Sequence, residues 1–321
     1  AREIAQVLYT ERGFRDLVPG HKQAHPFFLT VHSSVLKNAA LRLARAIRAH
    51  QNDKERVGWP DFSAWKDNWF SLEYEEPKKG WSVKGGTLHL QFGRDKDGKR
   101  LAVNLKMKDA PNVRTAKGVR IVKDAGRYYA TFVIDRRPRR KKIPKEPKLA
   151  YIDPNSKNLG YGVSIDGQAF EIDNLPGLRE LDHRIDKLKR KRDRCAKRSQ
   201  KVEFTREDGS VHVHWEPSRA WTRRNKALQK LEKKRREQIK QFQYSLSHLL
   251  LDRYDVLGIG NWSPTNGQSG LGKKATRTLR GRRQLGALRA RLQWVAQKKG
   301  KVVHVLDESG TTRTCHGCGH V

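Results

Sequence analysis

Apolar and polar positions alternate with two different periods along this chain, and the change of period marks its organisation. The opening "EIAQVLYTE" reads as a strand. Behind Ser33 and Ser34, two residues suited to capping, Leu36, Ala40, Leu43 and Ile47 recur at helical spacing. "GWPDFSAWKDNWF" follows, aromatic-rich and read as helix or loop, with its tryptophans assigned to packing. From Trp81 the period becomes two. "TLHLQF" sets Leu88, Leu90 and Phe92 on one face, and "LAVNLKM" does the same with Leu101, Val103, Leu105 and Met107 across a "DKDGK" turn. "GVRIVKDAGRYYATFVID" predicts a second strand pair turning at Asp124-Ala125-Gly126. Residues 76–135 are expected to form a small antiparallel barrel or sheet. "RRPRRKKIPKEPK", basic and punctuated by proline, reads as a domain boundary.

Beyond it, Leu149 to Ile152 and Gly160 to Ile165 predict strands, with a third after the Asp166-Gly167 turn. Two long basic helices follow. The first carries Leu181, Ile185 and Leu188 on one face, and the second Leu228, Leu231, Ile239, Phe242, Leu246 and Leu249. "YDVLGIGNW" is a strand ending in a Gly-Asn-Trp loop. A helix then turns Leu285, Leu288, Leu292 and Val295 inward, and "KVVHVLDES" is the last strand. Three strands, two helices, a strand, a helix and a strand predict a mixed α/β domain around one central sheet.

Charge narrows the choice of partner. The 321 residues hold 69 Lys and Arg against 34 Asp and Glu, a net charge of +35. Such an excess repels itself unless a polyanion neutralises it. No run of about 20 apolar residues is present, so no membrane span is expected, and eight tryptophans among basic residues suit base stacking better than lipid. The opening residues lack the apolar core of a signal peptide. Three cysteines do not make a disulfide framework, which points to a reducing, cytoplasmic compartment. Nucleic acid is the expected partner. The basic faces "KLKRKRDRCAKR" and "KKRREQIK" offer Arg190, Lys191, Arg192, Lys233, Lys234, Arg235 and Arg236 to phosphates, while Cys195 among them is assigned to packing. No GxxxxGK[ST], GxSxG or HExxH is present.

Two carboxylates and two cysteines carry the candidate chemistry. Asp153 ends an apolar strand directly before Pro154, and Glu308 ends "VVHVLDE". Sites in α/β sheets gather where strands end, and carboxylates there can hold Mg²⁺. Paired ions would stabilise the entering and leaving oxygens of a phosphodiester cleavage. A lone Asp at a strand end is more often a turn-former or helix cap, so pattern alone leaves its role open. Cys315 and Cys318, flanked by Gly317 and Gly319, are half of a four-ligand zinc site. His316 and His320 lie too close to them to complete it without strain.

"IDPNSKNLGYGVS", "GIGNWSP" and "ESGTTRTCHGCG", in that order, resemble the TnpB (OrfB) transposon-encoded nucleases and the compact type V CRISPR effectors derived from them. "GRYYATFVID" is similar to the strand that closes the family's wedge barrel. The resemblance implies a multidomain α+β chain. Its expected parts are a wedge-type β-barrel from residues 1–30 and 76–147 and a small helical recognition insertion at 31–75. An RNase H-like (RuvC) α/β nuclease domain would occupy 148–310, and the first half of a zinc ribbon 311–321. The second CxxC and a last aspartate are expected past Val321.

The activity implied is RNA-guided cleavage of double-stranded DNA beside a short duplex motif, with guide RNA held by the barrel and the basic surfaces. Asp153 falls on the family's first RuvC aspartate, a Mg²⁺ ligand. Cys315 and Cys318 fall on zinc ligands, and Arg313 is expected near a phosphate. One departure matters. Most members carry Glu-Asp-Leu where this chain reads Gly260-Asn261-Trp262. Either the glutamate has moved to Glu308, shortly before "TTRTC", or the site is dead and the chain is an RNA-guided repressor. Relocation is favoured, with the Glu308 strand expected beside the Asp153 strand and Asp307 expected to turn to the other face. A third reading, a guide-free structured-RNA binder, explains the charge and the CxxC but not the two carboxylates in family order. So short a chain leaves little recognition lobe, which calls for a homodimer or, the favoured option, a large RNA scaffold.

Overall fold

Two tight turns organise the first part of the chain. Gly85 and Gly86 have φ of 53° and 73°, and Ala125 and Gly126 have φ of 51° and 76°. Two consecutive left-handed residues make the hairpin turn whose twist matches its flanking strands. The computed structural model describes residues 10–55, 57–61, 71–77, 79–108, 113, 116–135, 137–140, 143–155, 158–205, 211–262, 284–308 and 318. Contacts divide the chain into two units, Ala1–Arg136 and Arg137–Val321.

The first unit contains strands β1 (Ser71–Tyr74), β2 (Trp81–Lys84), β3 (Thr87–Arg94), β4 (Arg100–Lys106), β5 (Ala116–Asp124) and β6 (Arg127–Ile134). They form two antiparallel sheets, β2-β3-β4 and β1-β5-β6, among the described residues, where one barrel was expected. Alternation buries Leu88 and Leu90 with Tyr74, Trp81, Val119 and Ile121 in one shared core. Leu105, expected inward, is exposed. The Tyr74 hydroxyl donates to the Gln91 carbonyl at 2.8 Å and ties β1 to β3. Burial pushes that phenol up to about 12.

The boundary between strand and helix differs from the expected one. β1 falls inside the stretch assigned to a helical insertion, yet it pairs with β5, Tyr74 opposite Val119. Residues assigned to the barrel before position 30 are helical: α1 (Glu11–Asp16), α2 (Val18–Ala24) and a 3₁₀ turn at Pro26–Thr30. The local reasons are legible afterwards. Thr10 caps α1 by accepting from the Gly13 N–H at 2.9 Å, and Pro19 and Pro26 sit in first turns, where a missing N–H costs nothing. In α3 (Ser33–Asn52) the cap is His32, whose Nδ1 accepts from the Ser34 N–H at 3.2 Å, in place of a serine. Ile47 and Ala44 are buried, whereas Leu43 is exposed. The strand expected at "EIAQVLYTE" and most of "GWPDFSAWKDNWF" lie outside the described residues.

The second unit contains β7 (Leu149–Asp153), β8 (Gly160–Ser164), β9 (Ala169–Ile172), α4 (Leu178–Arg194), β10 (Gln200–Thr205) and β11 (Val211–Glu216). After these come α5 (Arg219–Arg253), β12 (Val256–Gly260), α6 (Leu285–Lys299) and β13 (Val302–Leu306). One five-stranded sheet has the order β13-β12-β7-β8-β9. β12 runs parallel to both β7 and β13, while β7, β8 and β9 form an antiparallel meander. Ala150, Ile152, Leu257 and Ile259 pack beneath Leu246, Leu250, Leu251, Leu288, Leu292 and Val295, so α5 and α6 cover one face. Leu249, expected inward, is 68% exposed, because Leu250 and Leu251 take the core positions at the end of α5.

α5 spans 35 residues, about 52 Å at 1.5 Å per residue. Leu228 and Leu231 pack with Leu181, Ile185 and Leu188 of α4, and Ile239 begins the buried run toward the sheet. Between Leu231 and Ile239 no residue is buried, and that gap carries the "KKRREQ" charges. The β10–β11 hairpin between α4 and α5 was not anticipated. Its signal is the Val202 and Val211-Val213-Trp215 alternation around Asp208-Gly209.

Candidate active site

Strand alternation decides which side chains meet. Ala150 and Ile152 face the helices, so Tyr151 and Asp153 face the other side of the sheet. Register carries the pattern across: Gly258 lies opposite Tyr151, and Leu306 opposite Gly260. Gly260 therefore ends β12 on the same face as Asp153, and Glu308 follows two residues after β13. A Cβ added to Gly260 would lie 1.2 Å from Glu308 Oε1 and 2.1 Å from its Cδ. The glutamate thus fills the room that a side chain at 260 would need. Asp153, Tyr161, Gly260, Trp262, Asp307 and Glu308 line one open cleft of about 840 Å³ at these strand ends.

The Glu308 strand does not lie beside the Asp153 strand, as expected from sequence; β12 stands between them. The two carboxylates share a cleft because Gly260, at the end of that intervening strand, has no side chain to keep them apart.

The segment after β12 fixes Glu308 in place. The Asn261 N–H donates to the Leu306 carbonyl at 2.8 Å, and its Nδ2 donates to Asp307 Oδ1 at 2.8 Å. Its Oδ1 accepts from the Glu308 N–H at 3.2 Å. Asp307 is thereby engaged by Asn261 and also borders the cleft. Arg289, from α6, donates through Nη1 to the carbonyls of Gly260 at 3.0 Å and Trp262 at 2.9 Å. Burial raises the Glu308 pKa above the usual carboxylate range, and the charge of Asp153 adds to the rise. The Trp262 N–H and Arg289 oppose it without cancelling it. Burial also lowers the Arg289 pKa, against the pull of Glu308.

Asn261, Trp262 and Arg289 were not expected to serve the site. Asn261 and Trp262 sat in view as the departure from Glu-Asp-Leu, but their hydrogen bonds depend on the β12–β13 register. Arg289 carried no signal inside the apolar run of α6. Asp153 and Glu308 offer hard oxygen donors, the kind Mg²⁺ takes in ones and twos beside its waters. Burial and then the Asp153 charge raise Glu308's affinity for protons, a setting in which a cation would ease the charge of the pair. Among the described residues no group of three His, Cys, Asp or Glu side chains gathers at one point. Of the zinc candidates, Cys318 is described and exposed, while Cys315 and Arg313 lie outside the described residues.

The basic residues fall into two kinds. Arg190, Lys191, Lys234 and Arg236 are exposed, and Lys233 is half-buried. Arg235, expected at phosphate, instead pairs with Asp182 at 2.5 Å in a bridge from α5 to α4. Arg192, also expected at phosphate, is held by Asp193 at 2.7 Å and by Asn225 at 3.2 Å, over the Trp221 ring. Both turn inward because α4 and α5 pack closely enough to offer them partners. Cys195 is buried, as its packing role requires.

No family model and no curated protein matches this chain. Solved structures do. The structure described as "Cryo-EM structure of the Cas12f1-sgRNA-target DNA complex" superposes with a TM-score of 0.58 at 11% identity, over 97% of this chain and 68% of that one. "Cryo-EM structure of CRISPR-Cas12f Ternary Complex" aligns over 100% of this chain and 74% of that one at 11% identity, with a TM-score of 0.34. The first shows the fold: the chain shares the multidomain α/β architecture of that structure. No helix among the described residues is long and apolar enough to cross a membrane.

Proposed function

We propose that this chain is an RNA-guided DNA endonuclease whose cleavage site is the cleft of Asp153 and Glu308. The observation that carries the reading is the Glu308 carboxylate, which fills the space above Gly260 and faces the cleft of Asp153. A carboxylate lost from one strand end is thereby replaced from the next strand at the same place. A chain that had abandoned cleavage would have no need to keep a half-buried acid there against the charge of another.

Asp153 and Glu308 are the residues that would hold Mg²⁺. When bound, such ions polarise the scissile phosphate and make water a nucleophile at neutral pH. The chain's own part is to aim the oxygens. Asn261 and the Trp262 N–H fix Glu308, and Arg289 pins the carbonyls of Gly260 and Trp262 on either side of Asn261. Exposed Arg190, Lys191, Lys234 and Arg236 lie on a long helical pair and suit phosphate backbone, with guide pairing supplying sequence. The fold neighbour's description, a complex with sgRNA and target DNA, supports guide RNA and duplex DNA as partners. Cys318 remains half of the proposed zinc pair with Cys315.

The deciding experiment expresses the complete protein, its full C-terminal region included, beside its native flanking DNA and sequences the RNA that stays bound through high salt. The matching duplex is then offered with Mg²⁺. Cutting by the unaltered protein, and binding without cutting by Asp153→Ala and Glu308→Gln, is the expected result. Unchanged cutting in either variant removes that residue from the site. Tight binding without cutting by the unaltered protein makes the chain a repressor. Retention of bulk cellular RNA would make it a guide-free RNA binder.

A further inference from the structure

Where α5 and α6 run side by side, their outer surfaces leave a notch of about 550 Å³ bordered by Lys240, Tyr244 and His248 of α5 and by Trp294 and Lys298 of α6. The inward neighbours Leu246, Leu250, Leu292 and Val295 are buried, yet Trp294 keeps 43% of its surface exposed. Lys298 lies over one face of this indole and Tyr244 packs against it, while the rest of its surface is open to the notch. Tyr244 meets it with ring centroids 5.4 Å apart at 65°, and Lys298 Nζ sits 3.3 Å from its centroid.

We propose that the notch is a nucleotide site in which an unpaired base of an RNA strand stacks on Trp294. Lys240 would take one adjoining phosphate, and Lys298, which lies over a face of the indole, would swing to another as the base takes its place. Gln241, Ser245 and His248, which complete the lining, supply donors and acceptors for the base edge and the ribose 2′-hydroxyl. An aromatic ring flanked by cations is the combination that holds single strands with little regard to sequence.

Position, taken with the cleavage site proposed above on which this step rests, assigns the strand to RNA. Arg289 marks the end of α6 nearest the carboxylates. Trp294 and Lys298 lie five and nine residues further on, about 8 Å and 13 Å along the axis. The helical layer and the sheet stand between this notch and the face that carries Asp153. A DNA strand being cut must reach that other face, so the strand seated here is one that is bound and kept. The site is separate from the cleavage cleft, and its test reads binding alone.

The chain is freed of nucleic acid by nuclease digestion, separated from the nuclease and titrated with a fluorescent oligouridylate and with the oligodeoxyuridylate of the same length. Trp294→Ala is expected to weaken oligouridylate binding about tenfold. The loss should persist at elevated salt, because stacking does not depend on released counterions, and the unaltered chain should bind oligodeoxyuridylate more weakly for want of the 2′-hydroxyl. Equal affinity of the unaltered chain for both oligomers overturns the assignment to RNA, and no loss of oligouridylate binding in Trp294→Ala overturns the site. Photo-cross-linking of the unaltered chain to an oligouridylate carrying 4-thiouridine decides the case without any substitution that could unfold the protein. Adducts on Trp294 or Tyr244 are expected, and adducts confined to other residues overturn the proposal.

Discussion

Glu308 occupies the space of a side chain that Gly260 does not have. A methyl group at 260 would meet Oε1 at 1.2 Å. Because the obstructing atoms are the far end of a flexible side chain, Gly260→Ala should be cheap for the fold, below about 1 kcal/mol. It should be expensive for cleavage, since Glu308 must leave its place. We expect cutting to fall at least about tenfold, a loss of roughly 1.4 kcal/mol in the barrier, with guide and target binding intact. The double change Gly260→Glu with Glu308→Gly returns a carboxylate to the same cleft from the other strand and should recover part of the lost rate. Rates measured at saturating Mg²⁺ for both variants test the relationship.

Asn261 links the ends of β12 and β13 through its main chain and both atoms of its amide. Asn261→Ala keeps the main-chain bond and loses the other two. A net cost of about 1 kcal/mol or less follows for two exposed hydrogen bonds. The sharper consequence is a freed Asp307-Glu308 segment. Cleavage should fall about tenfold and require more Mg²⁺ for half-maximal rate, while RNA retention stays at the level of the unaltered chain. A variant that loses stability but keeps its Mg²⁺ requirement would show Asn261 to be a structural tie alone.

Much of this organisation was legible before any coordinates. Period-two alternation found β3 and β4, and period-3.6 spacing found the buried side of α6, because burial there follows local repeats. Asp153 at a strand end could be picked out for the same reason. What sequence could not supply was pairing between distant strands. Nothing local says that β12 inserts between β7 and β13, so Glu308 was expected on a neighbouring strand when it reaches across Gly260. The same limit hid the inward turn of Arg235 toward Asp182, which depends on how α4 and α5 pack. Short elements near the start were misassigned because a Thr10 cap and two prolines outweighed any periodicity.

Ala125 holds a left-handed conformation, φ 51°, in the two-residue turn between β5 and β6. A Cβ is penalised there by about 1 kcal/mol, whereas asparagine adopts the region readily. Ala125→Asn should therefore stabilise the protein by roughly 0.5–1 kcal/mol. The gain should appear as a higher urea midpoint at unchanged slope. An unchanged or lowered midpoint would mean that the strands, and not the turn, set the geometry of this hairpin.

Glu73 gives the first unit a pH dependence of definite sign. It lies on β1 and accepts from Arg120 at 2.9 Å (Nε) and 2.7 Å (Nη2), and from Arg42 at 3.0 Å. Burial pushes its pKa up, but the hydrogen bonds from Arg120 and Arg42 outweigh that, and the net shift is downward. In the pH range between the folded and unfolded values the unfolded chain therefore binds more protons, and stability rises with pH. This contribution is complete above the ordinary glutamate value, about 4.3, and drains away as pH falls through the lower folded value. Glu73→Gln removes the charge and leaves Arg42 and Arg120 a neutral amide oxygen in place of the carboxylate. At neutral pH the variant should be less stable by about 1–2 kcal/mol. The gap between the two proteins should narrow as pH drops below the ordinary glutamate value, because the unaltered protein then loses what the variant never had. Urea midpoints of both proteins across the acid range measure this. A gap that stays constant with pH would mean that packing of the Glu73 side chain, and not its charge, joins β1 to β5 and α3.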